Sequence, residues 1–254
     1  VTVSIWGIWI VGMRAASVEH LPLGWLGLFR YALPALILLP AWWRYGPLPR
    51  GVPRGVLALM VLGSGGPFFM IVAHGTSFAP AAEIGVLLPG TMPLFVALLA
   101  AVVFRERLAG PRLAGFALIF VAMALIGGGA VMAGHGYGRF LLTAGAALWA
   151  VYTLAFRRSG LPAVAAAGIT AFWSTLFLIP IAAYEGIGPI LAASPGMLMA
   201  QFVSQTLLSG LVSLVTYGYS VRQLGATRGA AFSGLAPALA ALFAIPLIGE
   251  WPSA

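Results

Sequence analysis

Three ionisable side chains lie inside stretches otherwise apolar enough to sit in hydrocarbon, where a charge is expensive and therefore marks a candidate site. They are Arg30, His74 and Glu83. A helix starting near Pro22 would carry Arg30 about 12 Å along its axis, well below a membrane surface. There its guanidinium could hold a substrate carboxylate, or it could serve structurally as the partner of Glu83 or of helix-end carbonyls. Glu83 falls in the first turn of an apolar segment, where the helix dipole favours a carboxylate; capping and proton coupling are both open to it. His74 shares a helix face with Pro67, Ile71 and Phe78, and either carries a proton near neutral pH or is a hydrogen-bonded structural residue.

Two aromatic stripes could line a binding cleft. Trp6, Trp9 and Met13 recur at spacings of three and four, as do Trp149, Tyr152 and Phe156, so each trio shares one face of a helix. Packing between helices, or tryptophan anchoring at the membrane interface, would use the same residues. Between 197 and 221 a polar arc of Gln201, Gln205, Ser209, Ser213, Thr216, Tyr217 and Ser220 covers less than half the circumference at 100° per residue. Gln205 and Tyr217 have the reach for ligand contact. Ser209 and Ser213 read more simply as small contacts between helices.

Residue types exclude most intramembrane catalysis. The chain has no Asp, Lys or Cys, which removes aspartyl proteolysis, lysine and thiol nucleophiles and thiolate metal sites. It has neither His-Glu-x-x-His nor Gly-x-Ser-x-Gly, so no zinc protease or serine hydrolase is expected, and no cofactor or metal is called for.

The elements that must position these residues are membrane spans. Of 254 residues, 61% are hydrophobic and only 7% charged, a composition suited to a multi-span bundle and not to an aqueous domain. Apolar segments fall at 1–13, 22–43, 55–78, 82–104, 111–130, 139–156, 162–184, 197–221 and 226–248, predicting nine helices. Alternate links carry ten arginines: Arg44, Arg50, Arg54, Arg105, Arg107, Arg112, Arg157, Arg158, Arg222 and Arg228. The other links carry two, Arg14 and Arg139. The bias places the arginine-rich links and the N-terminus in the cytoplasm, with the chain multi-pass in the inner (cytoplasmic) membrane. It also accounts for the net charge of +8 without nucleic acid, since the arginines sit singly on short turns.

The chain is written twice. Gly85, Gly90, Pro93, Ala97, Leu98 and Glu106 recur 144 residues later as Gly229, Gly234, Pro237, Ala241, Leu242 and Glu250. Trp6, Trp9 and Arg14 recur 143 later as Trp149, Tyr152 and Arg157, which argues against a cleaved leader over the first span; Leu21-Pro22 and Pro40 recur 140 later as Leu161-Pro162 and Pro180. The expected architecture is an all-α polytopic membrane protein of two five-helix repeats, 1–130 and 139–254, with nine spans visible and a tenth to follow Glu250. An odd span count inverts the second copy, the arrangement by which transporters alternate access around a site between their halves. Pro93 and Pro237 interrupt their segments and, with Glu83, are the candidates for gating or coupling.

These residues carry a family resemblance over essentially the whole chain. Trp6-Gly7, Leu28-Phe29-Arg30-Tyr31, Phe78-Ala79-Pro80-Ala81-Ala82-Glu83, Pro93 with its apolar tail and Phe104-Arg105-Glu106-Arg107-Leu108 resemble EamA-type members of the drug/metabolite transporter superfamily. So do Leu224-Gly225-Ala226-Thr227-Arg228 and Pro237 to Glu250. These are ten-span exporters that include YddG-like and threonine/homoserine-type amino-acid exporters. The resemblance implies a cavity lined by the first four spans of each copy, and a secondary transporter exporting amino acids or similar small metabolites from within the lipid bilayer. Efflux of nucleosides or lipophilic cations is the alternative, which the aromatic stripes would also suit.

Overall fold

The structure, a computed structural model, describes residues 1–79, 81–105, 110, 114, 115, 117, 118, 121 and 136–249. In lipid a backbone must satisfy its own polar groups, and the apolar segments do so as helices. We number them α1 Thr2–Val18, α2 Leu23–Ile37, α3 Arg54–Thr76, α4 Glu83–Phe104, α5 Gly136–Ser159, α6 Ala163–Glu185, α7 Pro195–Leu224 and α8 Ala226–Ile248. From α3 to α8 all are long and apolar enough to cross a bilayer. The chain is therefore a polytopic all-helical membrane protein. Eight of the expected segments are seen; the fifth, 111–130, lies almost wholly outside the described residues, as do Glu106, Glu250 and Pro80.

Turns between helices recur in register. The left-handed residues His20 and Gly160, φ 52° and 68°, end α1 and α5; Gly46 and Gly186, φ 73° and 75°, follow α2 and α6; Arg105 and Gly249, φ 54° and 69°, close α4 and α8. Pro22 and Pro162 stand extended before α2 and α6. Packing repeats as well. α1 lies against α7 and α8, as α5 lies against α3 and α4, while α2 pairs with α6 and α4 with α8. Each contact thus maps onto another when the first four helices are exchanged for the last four.

Irregular backbone interrupts α3, α4 and α8, and side chains of neighbouring helices bond to it in α3 and α4. α3 breaks at Gly65, a break the apolar run 55–78 does not announce. There the Tyr31 hydroxyl donates to the Ser64 carbonyl at 2.7 Å and the Gly66 amide donates to Ser174 Oγ at 2.9 Å. α4 widens into a π-turn over Val86–Gly90, and Pro93 then sits in the first turn of Met92–Phe104, where a missing N–H costs nothing. In α8 a 3₁₀ turn over Phe232–Leu235 precedes Ala236–Ile248, with Pro237 at the matching place. The two irregular turns cross: Ser233 Oγ donates to the Pro89 carbonyl at 2.7 Å. Gly85 makes that crossing possible, because a Cβ there would stand 2.9 Å from Pro237 Cα. Val102, Leu176 and Leu242 remain exposed on the outer faces, where lipid solvates them.

Candidate functional site

α7 carries the site's polar spine. Gln201, Gln205, Ser209, Ser213 and Tyr217 recur every fourth residue, and all five are buried. Residues 202–213 form a π-helix, so the four-residue spacing makes a ridge along the helix. Each rung meets a different partner. Gln201 Nε2 donates to the Gly12 carbonyl at 2.8 Å, Gln205 Oε1 accepts from Trp9 Nε1 at 2.7 Å, and Ser213 Oγ accepts from Trp6 Nε1 at 2.8 Å. The Tyr217 hydroxyl and Thr153 Oγ1 share a hydrogen bond of 2.8 Å. Ser209 Oγ accepts from Arg30 Nη1.

Arg30 is held in the middle of this spine. Only 2% exposed, it places Cζ 5.0 Å from the Trp9 ring centroid and 5.7 Å from that of Tyr31, and its Nε donates to the Tyr31 hydroxyl at 3.3 Å. No carboxylate pairs with it among the described residues. A guanidinium keeps its charge in proteins, so burial without a counter-anion leaves a positive field in a low-dielectric site. The residual cavity beside it is about 20 Å³, lined by Trp6, Trp9, Phe68, Leu88, Met92 and Trp149 among others. That holds no more than a water, so a substrate enters only if helices move apart.

A column of rings continues from the cavity. Trp6 and Trp149 meet edge to face at 5.4 Å, and Tyr217 lies 5.4 Å from each. Tyr152 stacks on Tyr217 at 6.4 Å and on Phe156 at 6.0 Å. The two aromatic stripes expected from the sequence meet at Trp6 and Trp149, in a ring cluster worth about 0.5–1.5 kcal/mol per pair beyond area burial, while Trp9 contacts Gln205 and Arg30.

Trp6, Trp9, Arg30, Trp149, Tyr152, Gln205 and Tyr217 are thus brought together. Other candidates lie elsewhere. His74 is exposed, its ring 5.2 Å from Phe78 and 5.9 Å from Tyr137, and Phe78 is itself 40% exposed. Both sit at the end of α3, one or more turns from the tryptophans, because a shared helix face does not fix depth. Nearby, Glu83 forms an ion pair with Arg139 at the start of α5, so the carboxylate that could have paired with Arg30 is engaged elsewhere. Pro93 and Pro237 mark the α4–α8 crossing. Ser209 and Ser213 bond Arg30 and Trp6, contacts that the four-residue spacing on α7 signals, and Tyr31 on α2 is a further partner of Arg30. Among the described residues no three His, Cys, Asp or Glu side chains converge as metal ligands would.

Comparison with known proteins places the fold and the family. A solved crystal structure superposes with a TM-score of 0.65 at 23% identity, covering 99% of this chain and 89% of that one, which shows a shared fold. A "probable terminal-alkyne amino-acid exporter" of Streptantibioticus cattleyicolor is 29% identical over 222 residues, 82% of this chain and 71% of that protein. The EamA-like transporter family matches residues 1–128 and again 136–254. With apolar spanning helices around a buried, hydrogen-bonded centre, and the family's match running through both halves, this chain belongs to the EamA-like transporter family.

Proposed function

We propose that the protein exports amino acids or similar small carboxylate-bearing metabolites across the inner membrane by alternating access, with Arg30 as the anchor for the substrate carboxylate. The observation that carries this reading is the buried Arg30 guanidinium, which has Ser209 and Tyr31 as hydrogen-bond partners, two aromatic faces and no described counter-anion. A carboxylate entering there exchanges water for charge-assisted hydrogen bonds, and gives the guanidinium the anion it lacks. Trp6, Trp9, Trp149 and Tyr217 then surround the rest of the substrate, while Gln205 and Tyr152 complete the wall. Efflux of lipophilic cations ranks second, since Arg30 already covers the Trp9 face and repels a second cation.

Paired left-handed turns, contacts that map onto themselves and the twofold family match support two inverted copies, with the N-terminus and the arginine-rich links cytoplasmic. In this reading the chain is caught with its centre closed. Access alternates as α4 and α8 slide at the crossing of Pro89, Pro93, Ser233 and Pro237, a place where irregular backbone already has its partners. Replacing Pro93 or Pro237 by Ala should slow exchange between the two access states several-fold without changing substrate affinity. Counterflow rates and equilibrium binding, measured on the same preparation, separate the two; unchanged turnover in both variants contradicts this role for the crossing.

Counterflow in proteoliposomes loaded with unlabelled amino acids tests the function itself. Saturable accumulation of labelled threonine or phenylalanine is the expected result. Absence of both, from folded protein, favours nucleoside or cation efflux.

A further inference from the structure

A second cavity, of about 460 Å³, opens between the ends of α5, α7 and α8 on the arginine-rich side. Its walls include Arg157, Arg222 and Arg228, and its lining holds no acidic residue. Arg222 donates to the carbonyls of Gly160 and Leu161, Arg157 lies 4.3 Å over the Phe104 ring, and Arg228 is exposed. Phe156 is also part of the lining, yet it is the last ring of the column that begins at Trp6 and Trp149. From Trp149 to Phe156 is seven residues of helix, about 10 Å. The stacked rings of Phe156, Tyr152 and Tyr217 therefore run from the wall of the basic cavity to Trp6 and Trp149 at the Arg30 centre.

We infer that this cavity is a vestibule in which the substrate's carboxylate is first captured, by Arg222 and Arg228, and that the Phe156–Tyr152–Tyr217 stack is the gate between vestibule and centre. The inference rests on the carboxylate reading of Arg30. Two cationic stations of like chemistry, one outside the rings and one inside, let an anion move inward without crossing uncompensated hydrocarbon. Low-dielectric walls concentrate the arginines' field in the mouth, so capture acts mainly on the concentration at which transport half-saturates. Aromatic rings suit the gate because they fill the passage by contact and can swing on two torsions, with the Tyr217 hydroxyl already satisfied by Thr153.

The chain has no cysteine, so a single introduced thiol reports without background. In the complete protein in vesicles, Leu224→Cys places a thiol in the vestibule lining. Two membrane-impermeant methanethiosulfonates are compared at low salt from the arginine-rich side, the anionic ethylsulfonate and the cationic ethyltrimethylammonium. After correction for their rates with a free thiol, the anionic reagent should react about fivefold faster or more, and about 0.5 M salt should remove the preference. Arg228→Gln should cut the preference at least about twofold and raise KM for the carboxylate substrate several-fold, with Arg228→Lys restoring both. Met92→Cys, inside the gate, should label about tenfold more slowly than Leu224→Cys, and Phe156→Ala should remove most of that difference. No anionic preference, or none lost in Arg228→Gln, overturns the vestibule; equal labelling at Met92→Cys and Leu224→Cys overturns the gate. Neither labelling result depends on transport. An anionic preference without carboxylate transport removes the Arg30 reading and leaves the vestibule, whereas carboxylate transport without the preference does the reverse.

Discussion

Arg30→Met should abolish transport of carboxylate substrates while leaving the folded protein as stable as before, or more so. Losing one partner of a buried, hydrogen-bonded charge pair costs about 2–5 kcal/mol, which is about 30- to 4000-fold in affinity for the anion. Methionine nearly matches the arginine stem in volume and adapts to the space left behind. Without substrate, Arg30 is a buried cation with neutral partners only, so its removal relieves a desolvation penalty. The Tyr31 hydroxyl keeps its bond to the Ser64 carbonyl at 2.7 Å, so α3 remains tied to α2 at its break. Together, lost transport and retained stability distinguish a binding residue from a structural one. Thermal unfolding in detergent supplies the second readout. A fall in Tm of more than about 5 °C would assign Arg30 to holding the bundle together.

Gly210→Ala should have the opposite signature, with stability and activity lost together. α7 crosses α2 so closely that a Cβ at position 210 would stand 2.2 Å from the Arg30 carbonyl oxygen and 2.8 Å from the Pro34 ring. A backbone carbonyl cannot swing away as a side chain can, so the helices must separate. The expected cost is about 3 kcal/mol, at the upper end for overpacking. Separation would also pull Ser209 from Arg30, Gln205 from Trp9 and Thr206 from the Phe29 carbonyl, which it meets at 2.6 Å. Heating in detergent and a counterflow assay should register both losses. Wild-type values of each would mean that α2 and α7 are not held at this separation.

The comparison of Gly210 with Arg30 shows what a sequence conveys about such a protein. Eight spans were legible because hydrocarbon imposes one requirement on every residue of a segment, while their ends were less so: α1 runs on to Val18 and α2 stops at Ile37, against expected ends at 13 and 43. Gly85, Pro93 and Gly229, Pro237 keep one spacing in the sequence, and the structure sets Gly85 against Pro237 at the crossing of α4 and α8. The aromatic stripes were legible as faces, since spacings of three and four define a direction around the helix axis. Depth was not. His74 and Phe78 share a face but lie at the end of α3 with Tyr137, and no periodicity says how far along the axis a residue must be to reach the centre. Partners across helices were equally hidden. Glu83 meets Arg139 rather than Arg30, a choice made by the packing of α4 against α5. The break at Gly65 and the π-turn of α4 are met by side chains from other helices, Ser174 accepting from the Gly66 amide and Ser233 donating to the Pro89 carbonyl.

Competition in counterflow tests the central claim most directly. The complete protein, reconstituted and exchanging labelled phenylalanine, is offered unlabelled phenylalanine, phenylalaninamide and phenethylamine. All three keep the aromatic ring and the amine, and only the first has a carboxylate. If Arg30 anchors the carboxylate, phenylalanine competes at least about tenfold more strongly than either analogue. Equal competition by all three would show that the aromatic walls alone select the substrate, and that Arg30 is not its anchor.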